Sequence, residues 1–184
     1  MILKKDYFNK LPLLLFLGVG SFLMLIAMGQ TSDTLKTSAT PLGILNLEFA
    51  YTAEKAFAVI IAWSGLIPAD NVFAAIINTW LDFIFLLFYS LFLYQASRML
   101  AIRHTGLLSG TGHFLAKGAL VAGLLDVFEN IGMLLTLNGH ISDTVSLLTF
   151  LFSIVKWLLA LAAVLYILLA GSLLLYKKVI RTSI

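Results

Sequence analysis

Ionisable side chains occur inside stretches of this chain that are otherwise apolar enough to lie in a membrane. Asp82 lies in NTWLDFIFLLFYSLFLYQ, Asp126, Glu129 and Asn130 lie in AGLLDVFENIGML, and Lys156 lies in SIVKW. A charged side chain at the centre of a bilayer costs about 2.5 kcal/mol or more, so such residues are candidates for ligand binding, proton transfer or catalysis.

Helical spacing predicts that these groups converge on one polar cavity. Asn78, Asp82 and Tyr89 fall on one face of their helix, and one side of the last apolar segment carries only small or polar residues and Lys156. We predict a cavity among the second, third and fourth apolar segments, open to the outer surface and roofed by a helix that carries Glu48. The candidate cavity residues are Glu48, Asn78, Asp82, Tyr89, Asp126, Glu129, Asn130 and Lys156.

The direction of side chains along a helix predicts the partner of Lys156. Side chains lean toward the amino-terminal end of their helix, which separates Lys156 from Glu129 and brings it nearer to Asp82. A pair between Lys156 and Asp82 is therefore easier to form than one between Lys156 and Glu129. Two structural alternatives remain, in which Lys156 beside Trp157 is an interfacial anchor, or Asp126 and its neighbours form a polar knot that only fixes helix packing.

Four apolar segments must position these side chains. Of the 184 residues 61% are hydrophobic and only 11% are charged, a balance that is far from that of a soluble protein. A helix of about 20 apolar residues crosses a bilayer. We predict an all-α integral membrane four-helix bundle in one domain, with spans at about 11–28, 73–97, 114–137 and 145–176.

Two parts of the chain near the amino terminus allow more than one interpretation. The first apolar run follows lysines, as a signal peptide does, but it exceeds the usual core of about 7 to 15 residues. Residues 31–40 have the composition of an exposed loop. Residues 45–63 have helical texture with three charges, which favours one additional interfacial helix at the outer face over a fifth span.

The basic residues predict the orientation. Lysine and arginine collect on the cytoplasmic side of spanning helices. They flank the first span, the connection between the second and third spans, and the carboxyl terminus, at Lys4, Lys5, Lys10, Arg98, Arg103, Lys117, Lys177, Lys178 and Arg181. Both termini are therefore expected in the cytoplasm, with His104 and His113 solvated in a cytoplasmic loop.

Several classes of function have no support in the sequence. The chain contains no cysteine, and its histidines have no companions at metal-ligand spacing, so we expect no metal or other cofactor. The net charge of +3 arises at the ends of apolar segments, which argues against a nucleic-acid partner.

Four segments carry a resemblance to a known group of proteins. LEFAYTAEKAFAVIIAW, LDFIFLLFY, AGLLDVFEN and SIVKW, spread over most of the chain, resemble uncharacterised four-span bacterial integral membrane proteins. The resemblance implies a location in the bacterial inner membrane and brings no activity with it.

Four hypotheses of function follow from the residues. The favoured one is a protein that binds a membrane lipid or an amphipathic small molecule through the outer cavity. The alternatives are an oligomer that moves ions or protons along the buried carboxyl groups, an enzyme acting on a lipid, and an accessory or assembly subunit that packs against a membrane partner.

Overall fold

The computed structural model describes residues 2–65 and 71–182, and the side chains of 10–65 and 71–180. The described part is α-helical and contains no strand. Pro68 and Asp70, which belong to the predicted first connection, lie outside the described residues, as do the side chains of Lys4, Lys5 and Arg181.

The helices are α1 (Ile2–Asp33), α2 (Leu45–Glu48), α3 (Ala53–Ser64), α4 (Asn71–Ala101), α5 (Gly106–Leu137) and α6 (Asp143–Thr182). Four of them, α1, α4, α5 and α6, are long and apolar enough to cross a membrane. The chain is thus a multi-pass helical membrane protein, as predicted. Large apolar side chains face outward along all four helices, where lipid can cover them.

The long helices extend beyond the predicted spans at almost every end. The largest differences are at the start of α1, which begins at Ile2 instead of about residue 11, and at the start of α5, which begins at Gly106 instead of about residue 114. The first turns of α5 are rich in glycine and belong to the predicted connection. Gly112 nevertheless packs closely against Tyr166 of α6, and this tertiary contact supports a helix that local composition does not favour.

Residues 45–63 are helical as predicted, but they do not form one continuous helix. The segment forms α2 and α3, separated by a break at residues 49–52. Thr52 has an extended backbone, and its hydroxyl accepts a hydrogen bond from the Lys55 amide at 3.3 Å. The Ala53 amide donates to Asp143 Oδ1 of α6 at 2.7 Å. These two contacts fix where α3 begins.

The prediction that residues 31–40 form an exposed loop was also wrong in part. Leu35 and Thr40 are buried beneath Trp63 of α3. The Trp63 indole donates to the Leu35 carbonyl at 3.0 Å and lies 3.2 Å from Thr40 Oγ1. The loop is therefore part of a folded unit, although its composition is polar. We call residues 34–64 the cap, because they cover one end of the bundle.

Long-helix packing follows the order α1, α4, α5, α6, and α6 also touches α4. Two glycines of α5 allow close approach: a β-carbon at Gly123 would lie 2.8 Å from Ser90 of α4, and one at Gly132 would collide with Thr149 of α6. These contacts hold α5 between α4 and α6 in one register.

His104 is not a solvated loop residue as predicted. It is buried, and its Nε2 lies 3.1 Å from the Ala170 carbonyl of α6. The short α4 to α5 turn is therefore attached to α6 at the end opposite the cap.

Candidate functional site

Lys156 lies at the centre of a group of buried carboxyl side chains. Its Nζ is 2.8 Å from Glu129 Oε2, 2.9 Å from Asp126 Oδ1 and 3.7 Å from Glu48 Oε2. Only 5% of Lys156 is exposed, so it is not the interfacial anchor that its position beside Trp157 allowed. One ammonium thus bridges carboxyl groups from α2 and α5.

Two of the three helices that supply these groups, α5 and α6, each turn a polar stripe inward. Asp126 and Glu129 lie one turn apart on the buried side of α5. On α6, Lys156 follows Ser146, Thr149 and Ser153 along the predicted seam, and all three are buried.

Glu48 enters the group from the cap. Its Oε2 accepts hydrogen bonds from Ser153 Oγ and from the Trp157 indole, both at 3.2 Å. A side chain from the connection between α1 and α4 is therefore held by α6 inside the bundle.

The predicted partner of Lys156 was wrong. Asp82 makes no ion pair with Lys156 among the described side chains; its Oδ2 accepts a hydrogen bond from Asn130 Nδ2 at 3.1 Å. The lysine pairs instead with Glu129, because α6 packs along α5 over more of its length than along α4. The register between helices therefore decides the partner of Lys156 more than the direction in which side chains lean along a single helix. We call Glu48, Asp82, Asp126, Glu129, Asn130 and Lys156 the polar cluster.

Tyr89 and Asn78 lie on the same side of α4 as Asp82 but bond differently. The Tyr89 hydroxyl donates to Asp126 Oδ2 at 2.8 Å. The Asn78 amide turns toward α1 and donates to the Met28 carbonyl at 2.9 Å and to Thr31 Oγ1 at 2.6 Å. Tyr89 thus belongs with the polar cluster, whereas Asn78 connects α4 to α1.

A cavity of about 500 Å³ adjoins the polar cluster. At one end its lining is polar, with Glu48, Asn78, Asp82, Tyr89, Asp126 and Lys156. Elsewhere its walls are mainly apolar and come from α1, α4 and α6, with α2 as the roof; they include Leu25, Met28, Phe85, Phe92, Leu161 and Val164.

The location of this cavity differs from the predicted one. We expected it among α4, α5 and α6, but α5 contributes only Asp126 to the lining, and Glu129 and Asn130 lie behind it. The wall that sequence reasoning missed is α1. Its lining residues share one helical face, a spacing that could have indicated their role: Ser21, Leu25, Met28, Gly29 and Ser32.

The cavity is open to the side of the bundle. In the described part of the chain α1 packs along α4 and makes no comparable contact with α6. The cavity lies in the space between α1 and α6, so we call it the lateral cleft. A molecule could enter it from the surrounding lipid without crossing the bundle.

Comparison with known proteins does not assign this site. No family model, no curated protein and no solved structure matches the chain. The resemblance to four-span bacterial membrane proteins therefore stays a prediction.

The polar cluster is built around the ammonium of Lys156. Among the described residues no group of three or more histidine, cysteine, aspartate or glutamate side chains could hold a metal ion. What the arrangement can do is receive a molecule with an apolar part along the walls and a polar part at the cluster.

Proposed function

We propose that this protein binds a membrane lipid, or another amphiphile of similar size, in the lateral cleft. One observation carries the proposal. The cleft is mainly apolar and open to the side, and one end of it meets the buried polar cluster. Its volume of about 500 Å³ lies within the range of roughly 300 to 1,000 Å³ that is usual for small-ligand sites.

The proposed orientation places the cap outside and both termini in the cytoplasm. Arg98 at the end of α4, Lys117 in α5 and Lys177 in α6 lie toward the end opposite the cap. This distribution supports a cytoplasmic assignment of that end. The polar cluster then lies on the outer side, in the bacterial inner membrane that the sequence resemblance implies.

The geometry favours binding over ion or proton movement. The contacts of Lys156 run sideways, from α6 to α5 and to α2, and not along a helix toward the opposite end. A relay would need polar groups at successive depths. Homo-oligomers or partner subunits remain compatible with the exposed apolar faces, but they do not explain the cleft.

A cavity-filling substitution tests the proposal. Gly29 lines the cleft, and a β-carbon there meets no atom within 4 Å, so Gly29→Phe places a ring in the cleft without a backbone clash. We expect lipid that stays bound in native mass spectrometry to fall about tenfold, as a loss of about 1.4 kcal/mol in binding free energy produces.

Gly171→Phe is the matched control. Gly171 lies on α6 away from the cleft lining, and a β-carbon there also meets no atom within 4 Å. Equal lipid retention by the two variants and the unchanged protein would refute the proposal.

A further inference from the structure

We infer that the lateral cleft selects an amphiphile whose headgroup is a hydrogen-bearing ammonium, as in an alkylamine or an ethanolamine lipid. This inference rests on the proposed function and narrows it to one class of headgroup. It depends on three properties of the polar cluster, namely its charge, its donors and its acceptors.

The polar cluster contains more acids than bases. It contains four carboxyl groups and one ammonium: Glu48, Asp126 and Glu129 lie 3.7 Å or less from Lys156 Nζ, and Asp82 is bonded to Asn130. All five residues are at least nine-tenths buried. Because buried charge is stable only when paired, a second positive charge from a ligand would complement this group.

The donors of the polar cluster already have acceptors. Lys156 faces three carboxyl groups, the Tyr89 hydroxyl donates to Asp126, and the Trp157 indole donates to Glu48. A phosphate or carboxylate headgroup would have to break one of these contacts to find a donor. The site is therefore poorly matched to an anion.

The acceptors, in contrast, are in surplus. Glu129 Oε1 and Asn130 Oδ1 are fully buried and accept no hydrogen bond within the described structure. Glu129 Oε2 is close to Lys156 without hydrogen-bond geometry. Both side chains touch groups that line the cleft, since Glu129 contacts Lys156 and Asn130 contacts Asp82.

Asp82 is the acceptor best placed for a ligand. It lines the cleft, is 7% exposed and receives one hydrogen bond, from Asn130 to Oδ2. Its other oxygen accepts none from the described residues. An ammonium at the polar end of the cleft could donate to this oxygen while its alkyl chain lies against the walls from α1 and α6.

A comparison of headgroups tests the inference. The full-length protein in detergent is titrated with dioleoylphosphatidylethanolamine, dioleoylphosphatidylglycerol and dodecylamine, and binding is measured by native mass spectrometry. We expect the ethanolamine lipid to bind about tenfold more tightly than the glycerol lipid, the factor expected of about one hydrogen bond to a charged group. Displacement of the lipid by dodecylamine would show that any alkylammonium suffices, and no displacement would show that the diacyl lipid is required.

Two variants test whether the headgroup preference arises at the polar cluster. Asp82→Asn should remove the preference for ethanolamine, and Glu48→Gln, on the cap, should weaken it if Asp82→Asn fails to fold. Glu54→Gln is the matched control, because it removes one carboxylate that is exposed on α3 and lies outside the cleft lining.

Three outcomes separate the inference from the proposed function. Equal or tighter binding of phosphatidylglycerol would overturn the inference and leave lipid binding intact, and the carboxyl groups would then hold their own protons. A preference that survives both cluster variants would also overturn it. If none of the three amphiphiles binds and Gly29→Phe changes nothing, the proposed function itself fails.

Discussion

The two halves of this bundle bury different kinds of side chain, although the same three helices, α4, α5 and α6, build both. Toward the cap the interior contains Lys156 and its carboxyl partners. Toward the opposite end the interior is a cluster of apolar side chains: Leu93, Leu115, Ala119, Ala163, Tyr166 and Ala170. Comparing the two halves shows how much of the stability of the bundle depends on apolar packing and how much on the polar cluster.

In the apolar half these helices are joined mainly by close packing, with no ion pair between them among the described side chains. Charges in the other half are therefore not needed for a bundle as such, and buried ion pairs are weak evidence of stabilisation. Breaking such a pair is nevertheless costly, because the remaining charge stays buried. The comparison therefore predicts that single substitutions lower the free energy of unfolding most in the half that contains the polar cluster.

Lys156→Met should have the largest effect. It removes the ammonium from between Asp126 and Glu129 and leaves buried carboxyl groups without a cation, which costs about 3 to 5 kcal/mol in a comparable buried pair. Reversible unfolding in mixed micelles would measure the loss. Lys177→Met, at an exposed position of α6, is the control and should change the free energy of unfolding little. A loss for Lys156→Met no larger than that of the control would mean that charge does not hold the capped half together.

Gly112→Ala should have an intermediate effect, in the apolar half. Its β-carbon would collide with the Tyr166 hydroxyl and lie 2.7 Å from the Ala101 β-carbon. Overpacking of this kind costs about 1 to 3 kcal/mol, which the same unfolding measurement would detect.

A second substitution and a control sharpen this test. Tyr166→Phe removes the hydroxyl and should restore part of the stability lost by Gly112→Ala. Gly110→Ala, two residues earlier, meets no atom within 4 Å and should not destabilise the protein. If Gly112→Ala and Gly110→Ala behave alike, shape is not what determines stability in this half.

Thr52→Ala should have the smallest effect, confined to the cap. It removes the hydroxyl that accepts from the Lys55 amide at the start of α3, which costs about 1 kcal/mol. Hydrogen exchange should rise in the first turn of α3 and stay unchanged in α5. The exposed Thr34→Ala serves as the control, and spread of the change into α5 would contradict the separation between cap and bundle.

The helices and much of the candidate site could be predicted because they depend on local patterns. Apolar length predicts the spans, and helical spacing places Asp126 and Glu129 on one side of α5 and Lys156 on the inner seam of α6. These patterns involve residues of a single helix, so no knowledge of the neighbours is required.

The remaining features depend on contacts between distant elements. Lys156 pairs with Glu129 because Gly132 and Thr149 fix the register of α5 against α6. Glu48 reaches Lys156 because the cap folds inward, which the polar composition of residues 31–40 does not indicate. The α1 wall of the cleft was missed because that helix carries no charged residue at the cleft to draw attention to it.

The peripheral position of α1 has a consequence for how the protein is assembled during synthesis. The most apolar 18-residue stretch within Lys10–Asp33 of α1 has a mean hydropathy of 2.4, and lipid can surround most of it. It can therefore enter the bilayer from the translocon before α4 has been made. For α5 the situation is reversed, since Asp126 receives its cation from a residue 30 positions later in the chain. Stable insertion of α5 should wait until the ribosome has completed the first half of α6.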